Sequence, residues 1–559
     1  GYSAGNSVSY TYPGPVSTKN ITLRTNLLST LNSINLDGDN VIGHLDLSGW
    51  SGLFKNVPKT LDLSNNTGLT GVTHTYTPYK SSTYNIIDCD LRDTLDLRPL
   101  GDMGGNIRIE SNSNLTRILF SGDTGTFGNL FFNDNDLVEL DFSTFKNFAT
   151  QFKVDGNSNL TGLTFYTAAT SSVNTTYFLT SSAPNYVGNI DLRGLKLEDY
   201  FDVRGTKCNQ ILHGYNNGVW DKYWASNCDI TGNHDLTMFP TLGNSFSVYN
   251  NIHLTGITHT ASTAEFTSYE AYNCDLQGNH DLSMFPNLGG NFNMSSNSGL
   301  TSVTHVFSPQ VFTAYNLSDC GLDGTLTLPF SELGGDFNVH DNGKLTKITH
   351  SATTNAFTSY KVDNCKLTGI LDLSLLSKLG GSFECDNNLF MSGINHGSAT
   401  NTEVFTKYKA DTCNLGGVLD VSMLTNLGGS FNVSTNVNLK NVLFPTSTQT
   451  FANSTGGNYA FTMNGCNFTG NNLSFLPLSG ATMDVNSALG ASIILDDSGL
   501  DATDVNFILN SFKTNVLGNF AGWSGVTLSI AGSNAAPDTT SGGINGISAR
   551  NTITGSPDN

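Results

Sequence analysis

The sequence predicts a mainly β repeat solenoid, and three observations predict it. At 559 residues, the chain is longer than a single compact core usually holds, so it is either several domains or a repeat array. Only 13% of residues are charged and 38% are hydrophobic, and polarity comes from Asn, Ser, Thr and 58 Gly, which suit turns better than helix surfaces. The third observation is decisive. Segments beginning at Trp220, Phe266, Phe312, Phe357 and Phe405 align almost without gaps, with starts 46, 46, 45 and 48 residues apart.

Each unit splits into two coils of about 23 residues. The first reads F-x-x-Y-x-x-x-x-C-x-L-x-G-x-x-D-L-S, as in FTSYEAYNCDLQGNHDLS from Phe266. The second reads L-G-G-x-F-x-V-x-x-N-x-x-L-T-x-I-T-H, as in LGGDFNVHDNGKLTKITH from Leu333. Alternating apolar residues make a short strand, and the Asn or Cys closes the turn after it. Both coils resemble the leucine-rich-repeat pattern L-x-x-L-x-L-x-x-[N/C]-x-L. The L-x-G-x-L-D-L-S tail resembles the segment that adds a second short strand in plant-type repeats, without its proline.

The pattern extends both ways. LDLSNNTGLTGVTHT from Leu61, NIRIESNSNLTRI from Asn106 and FKVDGNSNLTGL from Phe152 are second-type coils. First-type coils begin at Ile34, Ile86 and Asn129, where Asn135 replaces the Cys. The stretch 177–214 keeps NIDLRG and YFDVRG but loses the spacing. Roughly twenty coils are expected, stacking into a rod on the order of 100 Å. The expected organisation is an N-terminal cap or attachment segment over 1–30, the solenoid over 31–500 and a C-terminal cap over 501–559.

The cap carries the clearest helix, DATDVNFILNSF, with Asp501 or Asp504 as N-cap and Val505, Ile508, Leu509 and Phe512 at helical spacing. A strand, N-A-A-P and a short second helix follow. This tail resembles the terminal cap of leucine-rich-repeat proteins encoded by bacteriophages and some bacteria, over about sixty residues. The resemblance implies a strand paired with the last coil, a final helix covering it, and a virion appendage such as a fibre.

A net charge of −20 argues against nucleic acid and against polybasic docking on anionic lipid. No apolar run is long enough for a transmembrane helix. The start at Gly1 fits a processed protein or a fragment equally.

Seven of nine cysteines share one slot: Cys89, Cys228, Cys274, Cys320, Cys365, Cys413 and Cys466. Two coils separate them, roughly 10 Å, which is too far for disulfides or for zinc. They are expected to be buried free thiols, as are Cys208 and Cys385. His259, His305 and His350 form a similar ladder, with His74 and His396, expected at a hydrogen-bonded turn position. His234 and His280 repeat in the other coil. The aspartates Asp46, Asp96, Asp141, Asp235, Asp281, Asp372 and Asp420 are expected to cap turns, although a calcium ladder is conceivable. No metal or cofactor is expected.

No nucleophile, phosphate-loop or dinucleotide motif occurs, so no enzyme activity is expected. Any site should break the repeat locally. The irregular region carries Tyr186, Tyr200, Tyr215, Trp220, Tyr223 and Trp224. They either stack on sugars or fill an irregular core, and the core is the preferred reading. The expected function is a non-enzymatic structural or binding solenoid at the virion surface, contacting other virion proteins or a cell-surface glycan or protein. The alternatives are a secreted or surface-anchored bacterial adhesin and a polysaccharide-degrading appendage. A homo-oligomer is left open, for no heptad segment enforces one.

Overall fold

The computed structural model describes residues 33–48, 59–75, 81–101, 103–121, 127–167, 174–181, 183–214, 220–427, 429–445, 450–451, 460–466, 482–483, 492–511, 513 and 527–554. The proposed N-terminal cap, Tyr215 and Phe512 lie outside the described residues. The fold is a parallel β-solenoid of about 16 turns of about 23 residues, with two small C-terminal helices. It divides into two compact units, one running to Leu242 with residues 258–260, the other comprising 243–257 and everything from Ala261 on.

In the second unit each coil gives one strand to a continuous parallel sheet. Phe266–Glu270, Leu288–Asn293, Phe312–Asn316, Leu333–Asn338 and Phe357–Lys361 pair in succession. The register stacks one inward residue per turn: Tyr269, Phe292, Tyr315, Phe337 and Tyr360. All five are fully buried, and neighbouring rings lie 4.8–5.8 Å apart. One coil cannot bury such a ring alone; the coils above and below it do so.

The D-L-S segments form the second strand that the plant-type likeness implied. Gly278–Asp281 pairs with Leu300–Thr304, Asp323–Leu328 with Lys344–His350, and Thr368–Asp372 with Phe390–Asn395. Each of these is a separate two-stranded sheet. The two-coil period is therefore physical as well as textual: one sheet runs through, and the other is built pairwise.

The first unit also has a continuous sheet but a less regular core, and its second strands Arg92–Asp96, Asn114–Leu119, Glu139–Phe142 and Gly162–Phe165 join in one four-stranded sheet. Its continuous sheet stacks Leu130, Phe152, Phe178, Phe201 and Tyr223 in register. The stretch 177–214 stays in the sheet through Lys196–Asp202, and Val187–Leu192 pairs with Lys207–His213 beside it. Register shifts fall between Thr175 and Tyr177 and between Gly188 and Asn189, as comparable shifts do in the regular coils.

At the C-terminus, helix α1 (Ala502–Ser511) is capped by Asp501, whose Oδ1 accepts the Asp504 N–H at 3.0 Å. Val505, Ile508 and Leu509 are buried. The strand Thr527–Ser529 pairs with Ser492–Ile494, and helix α2 (Gly546–Thr554) follows. Asn534 of the N-A-A-P motif accepts the Ser498 and Leu500 N–H groups and donates to the Leu495 carbonyl, so it closes the last turn as a ladder asparagine would.

Candidate functional site

The ladders occupy most of the chemistry-bearing residues. All nine cysteines are buried free thiols. Cys320 Sγ donates to the Met294 carbonyl of the preceding coil at 3.3 Å, and Cys365 to that of Val339 at 3.3 Å. Burial pushes both thiols up to about 12. The ladder histidines are hydrogen-bonded, as expected, but toward the core rather than a turn: His74, His305, His350 and His396 each meet a buried tyrosine. His305 Nε2 lies 2.8 Å from Tyr315 Oη, and His350 Nε2 lies 2.8 Å from Tyr360 Oη. His280 of the other coil meets Tyr269 in the same way. Burial holds His350 down to about 4, so the rings are neutral near pH 7. The aspartates cap turns as expected: Asp281 Oδ1 accepts the Ser283 N–H at 2.9 Å, and Asp372 that of Ser374 at 3.1 Å.

The aromatic cluster separates into two sets. Trp220, Tyr223 and Tyr186 are at most 3% exposed and belong to the core. Tyr223 Oη sits between His213 and His234, at 2.8 and 2.6 Å, and Tyr186 Oη donates to the Asn189 carbonyl. Tyr200 and Trp224 do not join them. They neighbour the inward Phe201 and Tyr223 in their strands, so strand alternation turns them outward, and both are half-buried. The preferred core reading holds for three residues and fails for these two.

On that outward face Tyr200 meets residues the sequence reading had not singled out. Tyr177 stacks on Tyr200 with centroids 4.4 Å apart and planes 13° apart. Trp224 meets Tyr200 edge-on at 5.6 Å. Lys222 Nζ lies 5.4 Å from the Tyr200 ring and 5.3 Å from that of Trp224. Arg204 lies over Trp224 at 4.1 Å. Lys153 Nζ sits between Phe131 and Tyr177, at 4.8 and 5.0 Å. Arg108 lies over Phe131 at 5.7 Å. Rings and cations thus interleave across the strands Phe127–Phe131, Gln151–Lys153, Asn174–Leu179, Lys196–Asp202 and Trp220–Trp224. Each such contact contributes about 0.5–1 kcal/mol at a surface, enough to hold the long cationic stems in place.

Carboxylates stud the same face. Asp202 Oδ2 pairs with Arg204 at 2.8 Å and Glu110 with Arg108 at 2.6 Å. Burial pushes the Asp155 carboxyl above its ordinary range, and its buried Oδ1 accepts no hydrogen bond among the described residues. The signal for this track was present in the sequence as adjacent aromatics: Phe131-Phe132, Tyr177-Phe178, Tyr200-Phe201 and Tyr223-Trp224. In a strand buried on one face, such a doublet must turn one ring outward.

A second departure from the repeat lies on the outward face of the second unit. In the regular turns Ser295, Ser318 and Ser434 follow the core strand, and their N–H groups are accepted by Asn293, Asn316 and Asn432. In three successive turns the corresponding residues are Asp363, Asp386 and Asp411, with Lys361, Glu384 and Lys409 in the asparagine column. Asp386 is 2% exposed and accepts Lys409 Nζ at 2.7 Å, and Glu384 accepts Lys407 at 2.5 Å. Burial raises the carboxyls of both Asp363 and Asp411. These residues depart from the repeat consensus, so the row leaves no repeating signal in the sequence. Nearby, the ligand atoms of Asp319, His340 and Asp341 lie within 4.8 Å of one another, but His340 Nδ1 is hydrogen-bonded to Asp341, and nothing further marks the group as a metal site.

No protein-family model matches this chain, and no curated protein matches it. The leucine-rich-repeat and phage likenesses therefore stand on the motifs alone.

Proposed function

We propose that this chain is a non-enzymatic binding solenoid that contacts a cell surface through the outward face of its first unit. One observation carries the reading: the track from Phe131 to Trp224, where half-buried aromatic side chains turned outward by strand alternation interleave with cations. Exposed aromatic and arginine groups in rigid positions are the usual anchors of binding faces. The test is attachment of the purified chain to a panel of bacterial cells. Trp224→Ala with Tyr200→Ala should abolish attachment while leaving the far-UV circular dichroism unchanged. Equal attachment by this variant removes the reading.

Within it, we propose a virion appendage located on the particle surface, supported by the cap likeness around Asp501 and Asn534, with other virion proteins as further partners. Mass spectrometry of purified particles lacking the chain counts against this, and capsid and tail genes beside its gene count for it. A signal peptide encoded upstream of Gly1 would favour a secreted or surface-anchored adhesin instead.

The row Asp363, Asp386 and Asp411 favours a second reading, cleavage of a polysaccharide. Adjacent turns place such carboxylates about 4.8 Å apart and alternate turns about 9.6 Å apart, a span that brackets the separations used in glycoside hydrolysis. Release of reducing ends, lost in Asp363→Asn and Asp411→Asn, is the outcome that would support it.

A further inference from the structure

We infer that the track in the first unit takes a neutral polysaccharide chain laid along successive turns; this rests on the binding reading above and names its ligand class. The first argument is periodicity. The track spans five strands, Phe127–Phe131 to Trp220–Trp224, paired in parallel. Four steps of about 4.8 Å make it about 19 Å long. A face that repeats along one axis suits a ligand that repeats along one axis.

The second argument is charge. Arg108 and Arg204 are neutralised by Glu110 and Asp202. Lys153 and Lys222 are each placed between two rings. Asp155 adds a carboxylate to the same face, and the whole chain carries −20. A polyanion would meet three carboxylates among four cations, two of those cations already paired, on a chain that carries −20 overall, so little net attraction would draw it in. A polycation would meet the ring-held ammonium groups.

The third argument is hydrogen bonding. The buried Asp155 Oδ1 has no donor among the described residues. Lys153, two residues before it, places an ammonium donor near it, and the ammonium group of Lys222 lies three strands further along the track. A sugar hydroxyl both donates and accepts, so one ligand type serves both sets. The apolar bodies of Trp224, Tyr200 and Phe131 cover the carbon-bound faces of the sugar rings.

The experiment titrates the full chain with soluble neutral polymers (dextran, galactomannan and xyloglucan) and with polygalacturonate, at low and at physiological salt. Binding to a neutral polymer, little changed by salt, is expected. Trp224→Ala and Tyr200→Ala should each weaken it at least tenfold, and Asp155→Asn should weaken it measurably. Tyr272→Ala, on the outward face of the second unit, is the control and should leave it unchanged. Circular dichroism establishes that each variant is folded. Binding only to polygalacturonate, or neutral-polymer binding indifferent to Trp224 and Tyr200, overturns the inference. So does failure of all three neutral polymers. If cell attachment nevertheless persists and still depends on Trp224, the binding reading survives without its glycan; if attachment is absent too, both fall.

Discussion

Asn342 and Cys320 show how two side chains divide one task. The Asn342 amide donates to the Leu317 and Val339 carbonyls, both at 2.8 Å, and its Oδ1 accepts the Leu322 N–H of the preceding coil at 3.2 Å. The Cys320 thiol is a donor only, to the Met294 and Ser318 carbonyls. A thiol thus suffices in a coil whose own N–H is served by the asparagine of the next coil. The two side chains alternate with the two-coil period through the second unit. Tyr360 and His350 are a second such pair, and Tyr360→Phe would leave His350 Nε2 buried without its partner. The expected loss is about 1–3 kcal/mol, read from the midpoint of urea unfolding. The ladder thiols give a second check. With Cys274, Cys320, Cys365 and Cys466 pushed up to about 12, an aromatic disulfide reagent should modify none of them until denaturant is added. Rapid modification in native buffer would contradict the burial.

At the scale of the element, the L-G-G strands carry one residue more than the F-T-x-Y strands they follow. Phe312 pairs with Leu333 and Ala314 with Asp336, so two steps on one strand match three on the other. The irregularity falls at Gly335, whose φ is +63° and where a Cβ would stand 1.9 Å from the Thr313 carbonyl oxygen. Gly381 has the same geometry against Thr358. Gly335→Ala should therefore cost more than about 1 kcal/mol. Gly343→Ala, where a Cβ would meet nothing within 4 Å, should be nearly neutral in the same assay. The element also decides what is outward. Tyr200 and Phe201 are adjacent aromatics, and only the pleat separates a surface ring from a core ring.

At the scale of the molecule, the buried histidines set a pH limit. His74, His234, His280, His350 and His396 are held down to about 4, and His305 to about 3, by burial. Their unfolded value is about 6.5. Above that, neither state binds the proton and stability is complete. Between about 6.5 and about 4 the unfolded chain binds protons that the folded chain refuses, so stability falls with pH; below that window the loss levels off. Each such group can remove about 3 kcal/mol, and the sum exceeds the usual net stability of a domain. Burial raises Asp155, Glu270, Asp363 and Asp411, which works in the opposite direction, but these four are fewer than the six histidines and only partly buried. Unfolding between pH 6.5 and 4, followed by circular dichroism, is the expected outcome. A chain still folded at pH 3 would contradict it.

The repeat pattern was legible without coordinates because each coil must offer the same inward residues to its neighbours. Phe or Tyr in the strand, Asn or Cys at the turn and Leu after it recur because the stack has translational order, and translational order is visible in a sequence. The capping role of Asp281 and the inert state of Cys320 followed from spacing alone. The partner of His350 did not, since Tyr360 lies in the next coil and the contact exists only once the coils are stacked. The outward track was further out of reach. Aromatic doublets mark Phe131, Tyr177 and Trp224 one by one, but only strand register brings them together with Lys153. Sequence alone determined that this chain is a stack of coils and which residues hold it together. Tertiary structure decided which faces it offers, because a face is made of residues from different coils, and their identities are free to vary once the core beneath them is satisfied.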